Sequence, residues 1–262
     1  MKLHIVSDLH LAGCTMQPLE VVADALVLAG DISDGIFSNT IAVTAKYRER
    51  NLPVLYVLGN HEYEGNHFVV ELKRLHRECP ALGITLLHNK VVFLGGIRFA
   101  GTTLWTDFEF GAKKDVSMRL ARSTVCDFSR IGIGPDSTLT PEDTVRFHRR
   151  AVRFLERVFA TPFQGKTVVI THHGFSPQSI TARYSGDSLN AVYVSDLEER
   201  IRVWKPALMI HGHIHRERDY HIGETRVIVN PRGRVTPVKD YDGSTLELVD
   251  NDAFNPSLVI DV

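Results

Sequence analysis

Five short apolar runs, each stopped by aspartate, asparagine or histidine, constrain this chain more than any other feature. Residues 3–6 run into Ser7-Asp8-Leu9-His10, and residues 25–29 into Gly30-Asp31. Residues 54–58 run into Gly59-Asn60-His61-Glu62, residues 168–170 into Thr171-His172-His173, and residues 207–210 into His211-Gly212-His213-Ile214-His215. Runs of this length, rich in β-branched residues and bounded by turn signals, read as buried strands. Their ends carry the polar chemistry.

Helix-like stretches separate the strands. Residues 39–50 and 68–78 each read as one helix. Residues 141–159 follow Thr140, an N-cap residue with proline in the first turn, and carry Val145, Ala151, Val152, Leu155 and Phe159 at helical spacing. The first half therefore reads β-α-β-α-β, with right-handed crossovers and parallel strands, which places the chain in the α/β class. Residues 91–94 and 97–100 flank Gly95-Gly96 as a hairpin, and residues 225–229 and 246–249 read as late strands. Residues 107–137 are polar and poorly periodic, a loop or partial cap over a site. The chain has 262 residues and no evident linker, so 1–262 reads as a single domain.

Charge and cysteine content narrow the function. Thirty basic residues face 31 acidic ones, so no strong nucleic-acid signal exists, although a local patch would escape such a count. Cys14, Cys79 and Cys126 are odd in number and widely spaced, unlike a disulfide framework or a zinc ribbon. The first apolar run is interrupted by His4, unlike a signal peptide or a membrane span. A reduced, cytoplasmic location is the expectation, with no membrane partner. Oligomeric state is not readable.

Histidine is abundant, at 13, and concentrates with aspartate and asparagine at strand ends. Ligands of α/β sheets bind beyond the carboxyl ends of strands. Mixed carboxylate and imidazole donors suit manganese, iron, cobalt or zinc at a hydrolytic site. In Asp8-Leu9-His10 the i, i+2 spacing points two donors to one side of a strand end, and His213-Ile214-His215 repeats the logic. Asp31 has two oxygens and could bridge two ions, the clamp used in phosphoester hydrolysis.

The pattern resembles the calcineurin-like metallophosphoesterase superfamily. That superfamily's five blocks stand here in order: Asp8-Leu9-His10, Gly30-Asp31, Gly59-Asn60-His61-Glu62, His172 and Gly212-His213-Ile214-His215. The resemblance implies a four-layer αββα sandwich of two mixed β-sheets flanked by helices. It implies two divalent metal ions, manganese favoured, with iron, zinc, cobalt or nickel as alternatives. One site would use Asp8, His10, Asp31 and His215, the other Asp31, Asn60, His172 and His213. A metal-bridged hydroxide would attack a small phosphoester in line, without a phosphoenzyme. His61 would stabilise the developing charge or protonate the leaving oxygen.

Two features separate the chain from the serine/threonine protein phosphatase branch. Gly30-Asp31 is followed by Ile32-Ser33-Asp34-Gly35, without that branch's arginine, and the paired Gly-His-x-His is usual in phosphodiesterase-like branches. A phosphodiester or nucleotide-like substrate is expected, with a phosphomonoesterase or protein phosphatase, or a non-catalytic metal-binding scaffold, as alternatives. A DNA-end nuclease would need a basic groove that the charge balance does not support. Residues 101–107, 171–177 and 230–233 resemble an uncharacterised bacterial group of the superfamily, with Gly174-Phe175 where alanine-proline is frequent.

The remaining polar residues read more modestly. His173 either lines the phosphate site or turns away. Arg183 is a candidate phosphate binder on guanidinium chemistry, and Asn190 and Arg232 are comparable candidates. Glu62 orients its neighbours or pairs with a cation. His4 and His211 read as packed, and His67, His76, His88, His148 and His221 as surface residues. The run Arg146, Arg149, Arg150, Arg153 reads as a solvated helix face. Cys14, near the first block, reads as neutral packing.

Overall fold

Side chains alternate between the two faces of a strand, and here each strand's two faces feed different cores. In the computed structural model, which describes residues 1–12, 16–111, 113–239 and 245–262, Leu3, Ile5, Val27 and Leu55 pack against Phe99, Val168, Ile170 and Ile210. Their neighbours Val6, Leu26, Leu28, Val54 and Tyr56 face the opposite way, onto Phe37, Tyr47, Phe68 and Leu75. The result is helix, sheet, sheet, helix.

The chain opens with β1 (Lys2–Val6), β2 (Ala25–Ala29), α1 (Phe37–Val43), α2 (Ala45–Glu49), β3 (Val54–Val57), α3 (Phe68–Ala81) and β4 (Ile84–Leu86). A hairpin of β5 (Lys90–Leu94) and β6 (Ile97–Thr102) follows, then α4 (Lys114–Thr124), α5 (Asp127–Arg130), and the short strands β7 (Gly132–Gly134) and β8 (Ser137–Thr138). Next come α6 (Pro141–Ala160), β9 (Thr167–Thr171), α7 (Asn190–Tyr193), α8 (Glu198–Trp204) and β10 (Leu208–His211). The chain closes with β11 (Arg218–Ile222), β12 (Thr225–Val229), β13 (Val235–Lys239), β14 (Thr245–Val249) and β15 (Val259–Asp261).

One sheet has the order β15-β1-β2-β3-β4 and the other β11-β12-β10-β9-β6-β5. Both are mixed. β1 through β4 run parallel with β15 antiparallel at the edge, and β12, β10, β9 and β6 run parallel between antiparallel β11 and β5. The outer face of the second sheet buries Ala100, Val169, Met209 and Val227 against Ala151, Leu155 and Val158 of α6 and Ile201 of α8. The strands whose ends carry the polar chemistry (β1, β2, β3, β9, β10) are all parallel members of their sheets. Main-chain bonds tie the two sheets at that end: Ser7 N donates to Asn230 O at 3.1 Å and Gly233 N to Asp8 O at 2.9 Å.

Some expectations change. The single helix over 39–50 is two, α1 and α2. Between them the Thr44 hydroxyl bonds back to the Thr40 carbonyl at 2.7 Å, which competes with regular helix bonding. Residues 107–137 hold α4, α5 and the β7–β8 hairpin rather than an unbroken loop. The late strand over 246–249 pairs as β14 with β13 in a separate ribbon, outside both large sheets. No helix among the described residues is long and apolar enough to cross a membrane. Cys14 lies outside the described residues, and Cys79 and Cys126 are free thiols.

Candidate metal centre

The loops after β1, β2 and β10 adopt backbone that side chains normally avoid. Asp8 (φ 51°), His10 (φ 47°), Asp31 (φ 54°) and His213 (φ 66°) all lie in the left-handed region. Such conformations gather at functional sites, where the surrounding structure enforces them. The strand-end geometry expected for Asp8 and His10 is therefore met by a tight turn, not by strand alternation. Two glycines make room. A Cβ on Gly30 would run into the His172 ring, and one on Gly59 into the Asp31 carboxylate.

The donors form two adjacent groups. Asp8, His10 and His215 make the first, with His10 Nε2 3.1 Å from His215 Nε2 and Asp8 Oδ1 3.6 Å from it. Asp31, His172 and His213 make the second. His213 and His215, which i, i+2 spacing alone would send to one ion, thus part into different groups. Asp8 also ties the groups together, since its Oδ1 accepts the His213 main-chain N–H at 2.8 Å.

His172 shows what the second group is built to hold. Its Nδ1 donates to Ala29 O at 2.9 Å, which leaves a lone pair on Nε2. That lone pair faces Asn60 Oδ1 at 3.1 Å, His213 Nδ1 at 3.2 Å and Asp31 Oδ2 at 3.2 Å. The Asn60 amide is oriented by Asp127, whose Oδ1 accepts from Nδ2 at 3.0 Å. Electron-rich atoms pointed at one another need positive charge between them, a proton on Nε2 in the bare site or a metal ion in its place. Ligand atoms about 2.1 Å from one ion, at tetrahedral to octahedral angles, lie roughly 3.0–3.4 Å apart. Asp8 Oδ2 is likewise buried with no hydrogen-bond partner, a costly state for a carboxylate without a cation. The donor set fits divalent ions.

The charges tell the same story. Burial alone would raise the Asp31 carboxyl, yet His172, His61 and His10 hold it well below the usual range. Burial alone would lower His172, yet Asp31 and Asp8 push it up to about 9. Glu62 staples the loops from beneath, accepting from the main-chain N–H of Gly59 at 2.6 Å, Ile32 at 2.7 Å and Asp31 at 2.9 Å. That is an orienting role.

His61 lies beside both groups, its ring 4.8 Å from that of His10. Its Nδ1 is 2.8 Å from Glu64 Oε2 and 3.3 Å from Asp34 Oδ1, so Nδ1 carries the proton. Asp34 also accepts from His10 Nδ1 at 2.7 Å, and Arg130 donates to Glu64 at 2.6 Å. Against the effect of burial, Asp31, Glu64, Asp127 and Asp34 push His61 up to about 10. Arg234 opposes them. Its Nη2 stands 3.0 Å from His61 Nε2, and only a neutral ring can accept from a guanidinium.

A cavity of 690 Å³ opens over the centre, reached by Asp31, Asn60, His61, His213 and His215. Val125 to Asp127 line one part of it and Ile180 to Tyr193 another, with Arg183, Arg216 and Arg234 among its charged residues. Arg183 is exposed, its guanidinium 5.5 Å over the Tyr184 ring. Asn190 also lines the cavity, with its amide donating to Tyr184 O at 2.6 Å.

Other expected site residues lie elsewhere. His173 is buried behind His213, its ring 4.1 Å from that ring and 4.9 Å from Trp105, and it does not line the cavity. Arg232 turns to the Leu9 carbonyl at 3.3 Å. His148, expected at the surface, is buried and donates to Trp105 O at 3.2 Å. His211 is buried as expected, bonded to Ser179 Oγ at 2.7 Å. The sequence reading missed Arg234, Asp127, Glu64 and Asp250, whose Oδ2 accepts from His215 Nδ1 at 2.9 Å. Only Glu64 carried a local signal, three residues from His61.

The calcineurin-like phosphoesterase family profile matches residues 1–217. The crystal structure of a phosphopantetheinyl hydrolase from Mycobacterium tuberculosis superposes with a TM-score of 0.66 at 18% identity, covering 88% of this chain and 89% of that one. An uncharacterized protein, L509, of Acanthamoeba polyphaga mimivirus is 23% identical over 210 residues, 72% of this chain and 71% of the relative.

Proposed function

Because this chain belongs to the calcineurin-like phosphoesterase family, we propose that it is a dinuclear metal-dependent phosphoesterase acting on a phosphodiester or nucleotide-like phosphoester. The observation that carries this reading is that both donor groups and His61 meet at one 690 Å³ cavity. Asp8, His10 and His215 would hold one ion and Asn60, His172 and His213 the other, with Asp31 shared. The carboxylate, amide and imidazole donors suit manganese, which the family resemblance favours, and also iron, zinc, cobalt or nickel. Two divalent ions, when bound, supply Lewis acidity to the phosphoryl group and acidify water.

The chain's own residues do the rest. His61 is oriented through Nδ1 by Glu64 and Asp34, which directs Nε2 at the departing oxygen as proton donor. The cavity's thiol, Cys126, is pushed up to about 11 by burial and Asp127, so it is a poor nucleophile and water is the attacking group. The cavity far exceeds a bare phosphate, and Ile180, Tyr184, Leu189, Val192 and Tyr193 offer apolar surface for an organic arm. Residues 107–137 supply part of the wall as a partial cap within a single domain. The two free thiols among the described residues suit a reducing compartment such as the cytoplasm.

The test uses metal-stripped protein reloaded with manganese, zinc or iron and assayed on p-nitrophenyl and bis-p-nitrophenyl phosphate. Metal-dependent turnover is expected. Asp31→Asn should lose both ions and turnover, whereas His61→Ala should keep both ions and fall about 10²–10⁴-fold. A phosphopantetheinyl ester, a phosphate on a long organic arm, is a third probe. Two bound ions per chain with no turnover on any ester would sink the catalytic reading and leave a scaffold.

A further inference from the structure

The cavity holds a cation that the metal centre does not need. Arg234 follows Asn230-Pro231-Arg232-Gly233, a stretch with no role in the reading above. Its backbone is anchored to the loops that present the donors. Arg232 N donates to Ser7 O at 3.1 Å and Gly233 N to Asp8 O at 2.9 Å. Arg234 N donates to Asp250 Oδ2 at 3.0 Å, the oxygen that also accepts from His215. From this anchored base the side chain reaches His61 Nε2 at 3.0 Å.

Among the described residues the guanidinium forms no salt bridge, although the Asp250 carboxylate lies close enough to feel its charge. Arg130 pairs with Glu64, and Arg216 lies 3.8 Å from Asp252. Arg234 makes no ion pair among the described residues, and one of its five N–H groups meets the His61 ring. A guanidinium stays charged throughout the working pH range. Unpaired, and beside donors that gather two divalent ions, it is repelled unless an anion lies between. An oxygen presented to His61 Nε2 would also stand within reach of this fork, which suits phosphate geometry.

We propose that Arg234 binds an anionic oxygen of the substrate and so favours esters carrying more than one negative charge, a phosphomonoester or a nucleotide phosphate, over a singly charged diester. The inference rests on the phosphoesterase reading and narrows its substrate class.

Metal-loaded full-length Arg234→Ala and Arg234→Lys variants test it, with inorganic phosphate as the probe in calorimetry. Loss of one charge-assisted contact should weaken phosphate binding about 10–100-fold in Arg234→Ala, and less in Arg234→Lys. KM for p-nitrophenyl phosphate should rise in parallel while that for bis-p-nitrophenyl phosphate stays close to wild type. Metal content should not change, and millimolar guanidinium should partly restore the alanine variant. Unchanged phosphate affinity would overturn the proposal, as would equal losses on both esters. A fall in kcat alone, without guanidinium rescue, would also overturn it and leave Arg234 as a support for His61. If the wild type bound no phosphate and cleaved neither ester with any metal, the phosphoesterase reading would fail with it. If the wild type did both and Arg234→Ala matched it, only this inference would fail.

Discussion

Asn60 can offer its carbonyl oxygen to an ion only if its amide is held the right way round. Asp127, 67 residues later, does that by accepting from Nδ2. Outer partners of this kind are worth about 10–100-fold in metal affinity. Asp127→Leu should therefore weaken metal binding by about that factor, measured by metal titration calorimetry, while Asp127→Asn, which keeps an acceptor oxygen, should bind nearly as the parent does. Equal affinity in all three proteins would mean that Asn60 needs no such support. Asp127 was illegible because nothing near it in the chain marks it, and the partner that gives it meaning comes from a distant loop. The arginines teach the same lesson. Guanidinium chemistry made Arg183 and Arg232 reasonable, but packing turns Arg232 to the Leu9 carbonyl and sends Arg234 into the cavity.

Elements whose stability is local were the most legible. Helix α6 begins with a reciprocal cap: Thr140 Oγ1 accepts from Asp143 N at 3.2 Å, and Asp143 Oδ2 accepts from Thr140 N at 3.0 Å. Thr140→Ala should cost about 1 kcal/mol in urea unfolding, and a change under a few tenths would show that tertiary packing alone fixes this terminus. Elements that depend on neighbours were harder. β11 reads Arg-Asp-Tyr-His-Ile, with alternating exposure rather than an apolar run, because it covers only the edge of its sheet. His148 read as a surface residue, yet α6 lays it over Trp105. Periodicity identifies a helix and its apolar stripe, but not what lies beneath each polar position.

At the scale of the molecule, the two sheets bring their parallel-strand ends to one place, and the buried charge gathered there ties stability to metal. Stripping the ions should lower Tm by about 5–10 °C, from roughly 2.7 kcal/mol of linkage at a hundredfold excess over Kd. Thermal melts with and without chelator check this, and identical melting curves would mean that the centre contributes no linkage. The sequence by itself determined the parallel strands, the donor residues at their ends and the family, because buried strands and metal-binding side chains leave local, ordered signatures. Only the tertiary structure decided that His173 packs behind His213, and that Asp127 and Arg234 reach the centre. Those outcomes depend on how one sheet sits on the other and on left-handed turns whose cost is met by long-range contacts, and neither is written in any short stretch of chain.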